Sequence, residues 1–246
     1  MKLAVIGGTG ALELFNPLRK VALTTPFGAP SDRPRQVDLG GAEIWFLARH
    51  GDPHRIPPHK VNYRANIHAL RTLGVDSVLA INAVGALAPG LRAGSMMAPN
   101  QIIDYTWGRA HTFSDGGSAP LKHIDFTHPY DGPLRDRLIK AASGAGQEIV
   151  DGGCHAVTQG PRLETAAEVA RLASVGCDVV GMTAMPEAAL AREAGLDYAG
   201  LCVVANAGAG LEDGPITEDD IHEVLQTAMR NVQDVIEKLV GLDQES

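Results

Sequence analysis

Arg49 and His50 stand side by side at the end of an apolar run, Glu43–Leu47, and could hold an anion. A guanidinium offers a planar fork to phosphate oxygens, and an imidazole adds a further donor. The bland alternative is a surface arginine beside a capping histidine. Gly7-Gly8-Thr9-Gly10 closes another apolar run, Lys2–Ile6. Glycines there let backbone N–H groups approach an anion, and the Thr9 hydroxyl adds a donor. The turn lacks the third glycine of GxGxxG and the lysine of a P-loop, so alone it reads equally as a plain tight turn. Thr183, in Gly181-Met182-Thr183, precedes a helical stretch and suits an anion at a helix start. Met182 beside it reads, on residue type, as core packing. Glu164, in Gly160-Pro161-Arg162-Leu163-Glu164-Thr165, opens another helical stretch. It either serves the helix dipole or faces a ligand as an acceptor, and residue type alone favours the dipole.

His50, His54 and His59 share a proline-containing loop with no cysteine or carboxylate cluster of zinc type, so no metal is expected. Cys154, Cys177 and Cys202 are odd in number, lack CxxC spacing and have no evident activating partner. Buried, reduced thiols are the simple reading.

The elements that must position these groups alternate in type. Strands are expected at Lys2–Ile6, Glu43–Leu47, Ser77–Ile81, Ile149–Thr158, Asp178–Val180 and Tyr198–Ala205. Helices are expected at Asn62–Leu73, Glu164–Ala173 and Pro186–Glu193, with Pro186 at an acceptable first-turn position. A long amphipathic helix starts at Glu218-Asp219-Asp220, with Thr217 as N-cap. This is an α/β pattern with a largely parallel sheet. In such sheets ligands bind at the carboxyl ends of strands, so Thr9, Arg49-His50, Asn82-Ala83, Met182-Thr183 and Asn206 are expected to converge.

Composition narrows the partners. Lys+Arg is 21 against Asp+Glu 29, a formal charge of -8. That balance argues against broad nucleic-acid binding without excluding a local anion pocket. No apolar run reaches membrane-spanning length, and MKLAVIGG enters directly as a strand and turn rather than a signal peptide. A cytoplasmic protein with no membrane partner is the expectation.

Taken together, GGTG at 7–10, TTPFGAPSD at 24–32, ARHG at 48–51, HKVNYRAN at 59–66, NAVGAL at 82–87, QGPRLETAAE at 159–168 and GMTAMPE at 181–187 resemble the trimeric purine nucleoside phosphorylase and methylthioadenosine phosphorylase family. The match runs in order from residue 4 to about residue 230. The resemblance implies one domain over 1–246 with the phosphorylase/hydrolase-like α/β fold, a central mixed β-sheet flanked by helices. It also implies a homotrimer, and phosphorolysis: inorganic phosphate is a co-substrate and no cofactor is needed. By the same resemblance Thr9, Arg49, His50, the Ala83 backbone and Thr183 form the phosphate site. Met182 meets the ribose, Leu163 lies beside the base, and His123 reaches the 5′ end from a neighbouring subunit.

Two departures from the methylthioadenosine branch are informative. That branch has two aspartates where this chain has Asn206 and Gly208, and a small hydroxyl residue where it has Glu164. The 6-oxopurine branch has Glu and Asn at the 164 and 206 positions. The chemistry agrees: a 6-oxopurine carries N1–H, a donor that a Glu164 carboxylate accepts, whereas adenine N1 is a lone pair. Asn206 donates to O6 or N7 and, as the catalytic residue, stabilises negative charge on the leaving purine. At the 5′ end the 6-oxo branch has a His, but the alignment places Ile221 there with Val224 one turn on. That apolar pair suits a methylthio group, although a shift of one residue would substitute His222. The expected substrate is 5′-methylthioinosine. An inosine/guanosine or methylthioadenosine phosphorylase uses the same frame. A nucleosidase has no use for an anion cradle, and a non-catalytic nucleotide module would need the missing GxGxxG.

Overall fold

The computed structural model describes residues 1–8, 10–11, 14–15, 17–116 and 121–242. Its strands are β1 (Leu3–Gly7), β2 (Pro17–Lys20), β3 (Arg35–Leu39), β4 (Ala42–Ala48), β5 (Ser77–Ala86), β6 (Met96–Ala98), β7 (Gln101–Asp104), β8 (Val150–Asp151), β9 (Cys154–Val157), β10 (Val179–Gly181) and β11 (Asp197–Ala207). Its α-helices are α1 (Tyr63–Thr72), α2 (Pro133–Gly144), α3 (Ala166–Ser174), α4 (Ala184–Glu193) and α5 (Glu218–Gly241).

The sheet is mixed rather than largely parallel. Its main path runs β2-β3-β4-β1-β5-β10-β9-β7, with β11, β6 and β8 branching from β5. β1 pairs in parallel with β4 and β5, whereas β10 meets β5 antiparallel. Both faces are covered, so central strands are apolar throughout rather than alternating. Leu3 and Val5 face a core built with Leu138 of α2 and Val232, Val235 and Leu239 of α5. Ala4 and Ile6 face the other core, with Ile67 and Leu70 of α1 and Ala188 and Leu190 of α4.

Several boundaries differ from the sequence expectation for local reasons. The run expected as one strand over Ile149–Thr158 is two, split at Gly152 and Gly153, whose φ values of 102° and 100° no β-strand accommodates. The helix expected from Glu164 starts at Ala166. Thr165 is its N-cap and Glu168 closes a capping box with it, so Glu168, not Glu164, serves that helix end. α4 contains a non-helical Met185, and its regular turns begin at Pro186 as expected. Thr217 caps α5 by accepting from Asp220 N–H at 3.2 Å.

Candidate active site

The site forms around a break in the pairing of β5. Along one edge β1 covers Ser77–Ala80 and β10 covers Gly85 and Ala86, which leaves residues 81–84 without a strand on that side. Ile81 O, inside the break, accepts from Arg49 Nη1 at 2.9 Å. Residues two apart on a strand present their amides to the same edge, so Ala83 N–H faces the break too. Ala83 is the exposed residue of this otherwise buried strand. A cleft of about 600 Å³ opens there. Arg49, His50, Ala83, Leu163, Glu164, Met182, Thr183, Asn206, Gly208 and Ile221 all line it. Thr9, expected at the same place, lies outside the described residues; its neighbour Gly8 lines the cleft.

Arg49 is held by a residue that sequence reading did not single out. Nε and Nη2 donate to the two oxygens of Glu187, each at 2.8 Å, and Tyr198 OH donates to Oε1 at 3.1 Å. Arg49 and Glu187 side chains are 1% and 0% exposed. Burial works against the Arg49 charge, but the Glu187 carboxylate outweighs it and raises the guanidinium above its ordinary range. Nη2 also donates to Ile6 O at 3.4 Å. With Nη1 on Ile81 O, one N–H of the fork stays uncommitted, and it belongs to Nη1 beside Gly8.

His50 has a fixed tautomer. Its Nδ1 lies 2.7 Å from Ile56 O, and a carbonyl only accepts, so Nδ1 carries the proton. Nε2 is then an acceptor rather than the donor expected of it. Burial lowers His50 to about 4, and the adjacent Arg49 charge works in the same direction. His155, fully buried on β9, falls to about 3 from burial and Arg49. Both are neutral in the folded protein near pH 7 and titrate near the ordinary 6.5 once unfolded. The unfolded chain therefore binds more protons in the interval between, and stability falls as pH drops from about 6.5 toward 4. Thermal melts from pH 7 to 4.5 are expected to show that decline, with a shallower slope in His155→Leu. A flat Tm over the range would contradict both placements.

Thr183 stands at the N-cap position of α4 but makes no side-chain capping bond. Its hydroxyl accepts from Asn82 Nδ2 at 3.0 Å, which leaves its own proton for a ligand. Asn206 owes its position to an irregularity in β11, where the register against β5 shifts between Val204 and Asn206. Its Nδ2 donates to Ala207 O at 2.6 Å, leaving a second N–H and the carbonyl oxygen. Glu164, not required as a helix cap, reaches the cleft with Oε1 bonded to the Thr158 hydroxyl.

The 5′ candidates separate. Ile221 lines the cleft, while His222 is exposed with Nδ1 against Glu218 O at 2.8 Å. Val224 lines an adjoining recess shared with Asn206 and Gly208 rather than the main cleft. His123 lies in a separate recess with Asp131 and Arg192 and does not reach the cleft of its own chain. Sequence reading weighed His54 only as a metal ligand, whereas its ring stacks on His50 at 4.4 Å, and it missed Arg109. Arg109 donates to Gln159 O and Met182 O, both at 2.8 Å, and to Met185 O at 2.6 Å, tying together the loops after β9 and β10.

Among the described residues no group of His, Cys, Asp or Glu could hold a metal ion. All three cysteines are free thiols, and burial raises Cys177 to about 12 and Cys202 higher still, which suits packing rather than nucleophilic attack. Among the described residues no helix is long and apolar enough to cross a membrane.

An arginine, a threonine and a main-chain amide at strand ends thus share one cleft with a carboxylate and a carboxamide on an α/β frame. The chain belongs to the phosphorylase superfamily, whose family model matches residues 2–241. A Pseudomonas syringae pv. tomato protein described as a probable S-methyl-5′-thioinosine phosphorylase is 47% identical over 240 residues, covering 97% of this chain and 98% of its own. The 6-oxopurine nucleoside phosphorylase of Pyrococcus furiosus is 40% identical, covering 96% and 90%. Among solved structures, a mutant adenosine/methylthioadenosine phosphorylase from Schistosoma mansoni in complex with methylthioadenosine superposes with a TM-score of 0.93 at 34% identity, covering 100% of this chain and 92% of that one.

Proposed function

We propose that the chain catalyses phosphorolysis of a 6-oxopurine 5′-methylthionucleoside, converting 5′-methylthioinosine and phosphate to hypoxanthine and 5-methylthioribose 1-phosphate. The observation that carries this reading is that Glu164 and Asn206 line one cleft together with Arg49, Ala83 and Thr183.

Phosphate sits in the break along β5. Arg49 Nη1, Ala83 N–H, the Thr183 hydroxyl and Thr9 donate to it, and His50 Nε2 accepts the proton of hydrogen phosphate. The nucleoside lies across the cleft with its ribose against Met182 and its base beside Leu163. The C1′–N9 bond breaks, its electron pair moves onto the purine, and a phosphate oxygen bonds to the cation-like C1′. Asn206 donates to O6 or N7 as negative charge builds there, while the Glu164 carboxylate accepts from N1–H. Gly208 passes too close to the protein to carry a side chain, since a Cβ there would sit 3.0 Å from both Ala86 O and Val169 Cγ1.

Ile221, with Val224 behind it, faces the 5′ substituent and favours methylthio over hydroxyl. A second reading, a nucleoside with a free 5′-hydroxyl, has one observation in its favour: His54 lines the cleft and lies within electrostatic reach of His222. Phosphate-dependent kcat/KM for 5′-methylthioinosine, methylthioadenosine and inosine decides between them. The first is expected to exceed both others by ~10-fold or more, because each competitor leaves a buried group unmatched. Preference for methylthioadenosine would overturn the base assignment, and preference for inosine the 5′ assignment. The working unit is one domain over 1–246 in a cytoplasmic homotrimer, in which His123 of a neighbouring subunit approaches the 5′ end. Light scattering that returns a monomer mass would refute the shared site.

A further inference from the structure

Glu164 enters the cleft with one of its two oxygens engaged. Thr158, the residue after β9, places its hydroxyl 2.5 Å from Glu164 Oε1. A carboxylate oxygen only accepts, so the hydroxyl is the donor. The other acceptor near that proton is Gly181 O at 3.5 Å, the limit of a hydrogen bond, so the proton belongs to the carboxylate. Thr158 is itself fixed. Its N–H donates to Gly181 O at 2.8 Å, and its carbonyl accepts from Arg109 Nη2 at 3.3 Å. A β-branched side chain on a pinned backbone has little torsional freedom, so the hydroxyl is a rigid post. Among the described residues no protein group is hydrogen-bonded to Glu164 Oε2.

We propose that Thr158 is a specificity-determining positioning residue: by committing its hydroxyl proton to Oε1, it dictates which atom of residue 164 is offered to the base. This rests on the reading of Glu164 as the acceptor for N1–H. With glutamate present, the atom offered is Oε2, an acceptor, and the site reads a donor on the base. The same post makes a specific demand of a carboxamide. In Glu164→Gln the hydroxyl retains the amide oxygen, so the NH2 turns toward the base and the site reads an acceptor such as the bare N1 of adenine. Without the post, the amide is free to rotate and reads neither edge well.

The test is a four-variant comparison of kcat and KM for 5′-methylthioinosine and methylthioadenosine. Thr158→Val, which keeps the shape and removes the donor, is expected to raise KM for methylthioinosine ~10-fold with kcat changed less than ~3-fold; losing a charge-assisted hydrogen bond has that scale. Thr158→Ser restores the wild-type KM. Glu164→Gln raises the 6-amino to 6-oxo ratio of kcat/KM by ~30-fold or more, and adding Thr158→Val to it removes most of that gain. A merely structural threonine would lower both substrates alike and leave the ratio in the Gln background unmoved, which overturns the proposal. If Thr158→Val is inert while Glu164→Gln shifts the ratio, the base assignment stands and the positioning role falls. If Glu164→Gln leaves the ratio unchanged, both fall.

Discussion

Replacing Glu187 by alanine is expected to destabilise the protein by about 3–5 kcal/mol, because it leaves a guanidinium buried without its counter-charge. Arg49 and Glu187 are fully enclosed, and the pair is bidentate at 2.8 Å on both arms. The effect on catalysis is expected to exceed the effect on folding. Arg49 Nη1 is aimed into the cleft only because Nε and Nη2 are clamped, and a displacement of the order of 1 Å costs ~100-fold in kcat/KM. Denaturant midpoints at unchanged m-value measure the first effect, and initial rates with varied phosphate the second. The double variant Arg49→Met, Glu187→Leu separates them. It removes both charges and fills the volume, so it is expected to recover most of the lost stability while staying inactive. A midpoint unmoved by Glu187→Ala would show that the pair does not hold the fold. A double variant as active as wild type would remove Arg49 from the phosphate site.

The second large effect is a change of base. Asn206→Asp combined with Glu164→Ser is expected to invert the preference from 6-oxopurine to 6-aminopurine methylthionucleosides, moving the ratio of kcat/KM by ~10³-fold or more. An aspartate at 206 offers an acceptor to the 6-amino group, and serine at 164 removes the carboxylate that repels adenine N1. The single replacements are expected to achieve much less than their product, because both side chains meet the same base. Steady-state rates for methylthioinosine and methylthioadenosine with all three variants measure the ratio. An unchanged ratio in the double variant would remove both residues from base recognition.

What the sequence revealed and what it hid divide along physical lines. Residues that follow strands are marked locally, by a glycine or a polar group after an apolar run. That is why Arg49, His50, Ala83, Met182, Thr183 and Asn206 could be read as converging, and they do line one cleft. Caps are local as well, and Thr217 holds α5 as its hydroxyl and the acidic turn after it imply. Glu187 was invisible because the group that needs it lies 138 positions away. Arg109 was invisible because most of its partners are main-chain carbonyls, which carry no residue-type signal. Strand periodicity alone read the sheet as largely parallel, and only the resemblance implied the mixed sheet that is found, because β2, β3 and β6, which pair antiparallel, are short or polar and lack strong periodicity. The sequence pattern put Val224 on the same helical face as Ile221, but the fold places it in the adjoining recess.

The break along β5 divides labour within the molecule. The groups at the break are a main-chain amide, a main-chain carbonyl and an arginine locked in the core, and none can be altered without disturbing the sheet. The groups proposed to read the nucleoside sit elsewhere, on the segment before α3, on the irregular end of β11 and on the first turn of α5. On the proposed reading, substitutions at 164 or 221 can therefore accumulate without loosening the break, whereas 206 also takes part in the chemical step. Under that proposal, a lineage carrying this architecture can exchange one purine or one 5′ group for another through a few changes at the periphery, while the anion-holding break passes unchanged to its descendants.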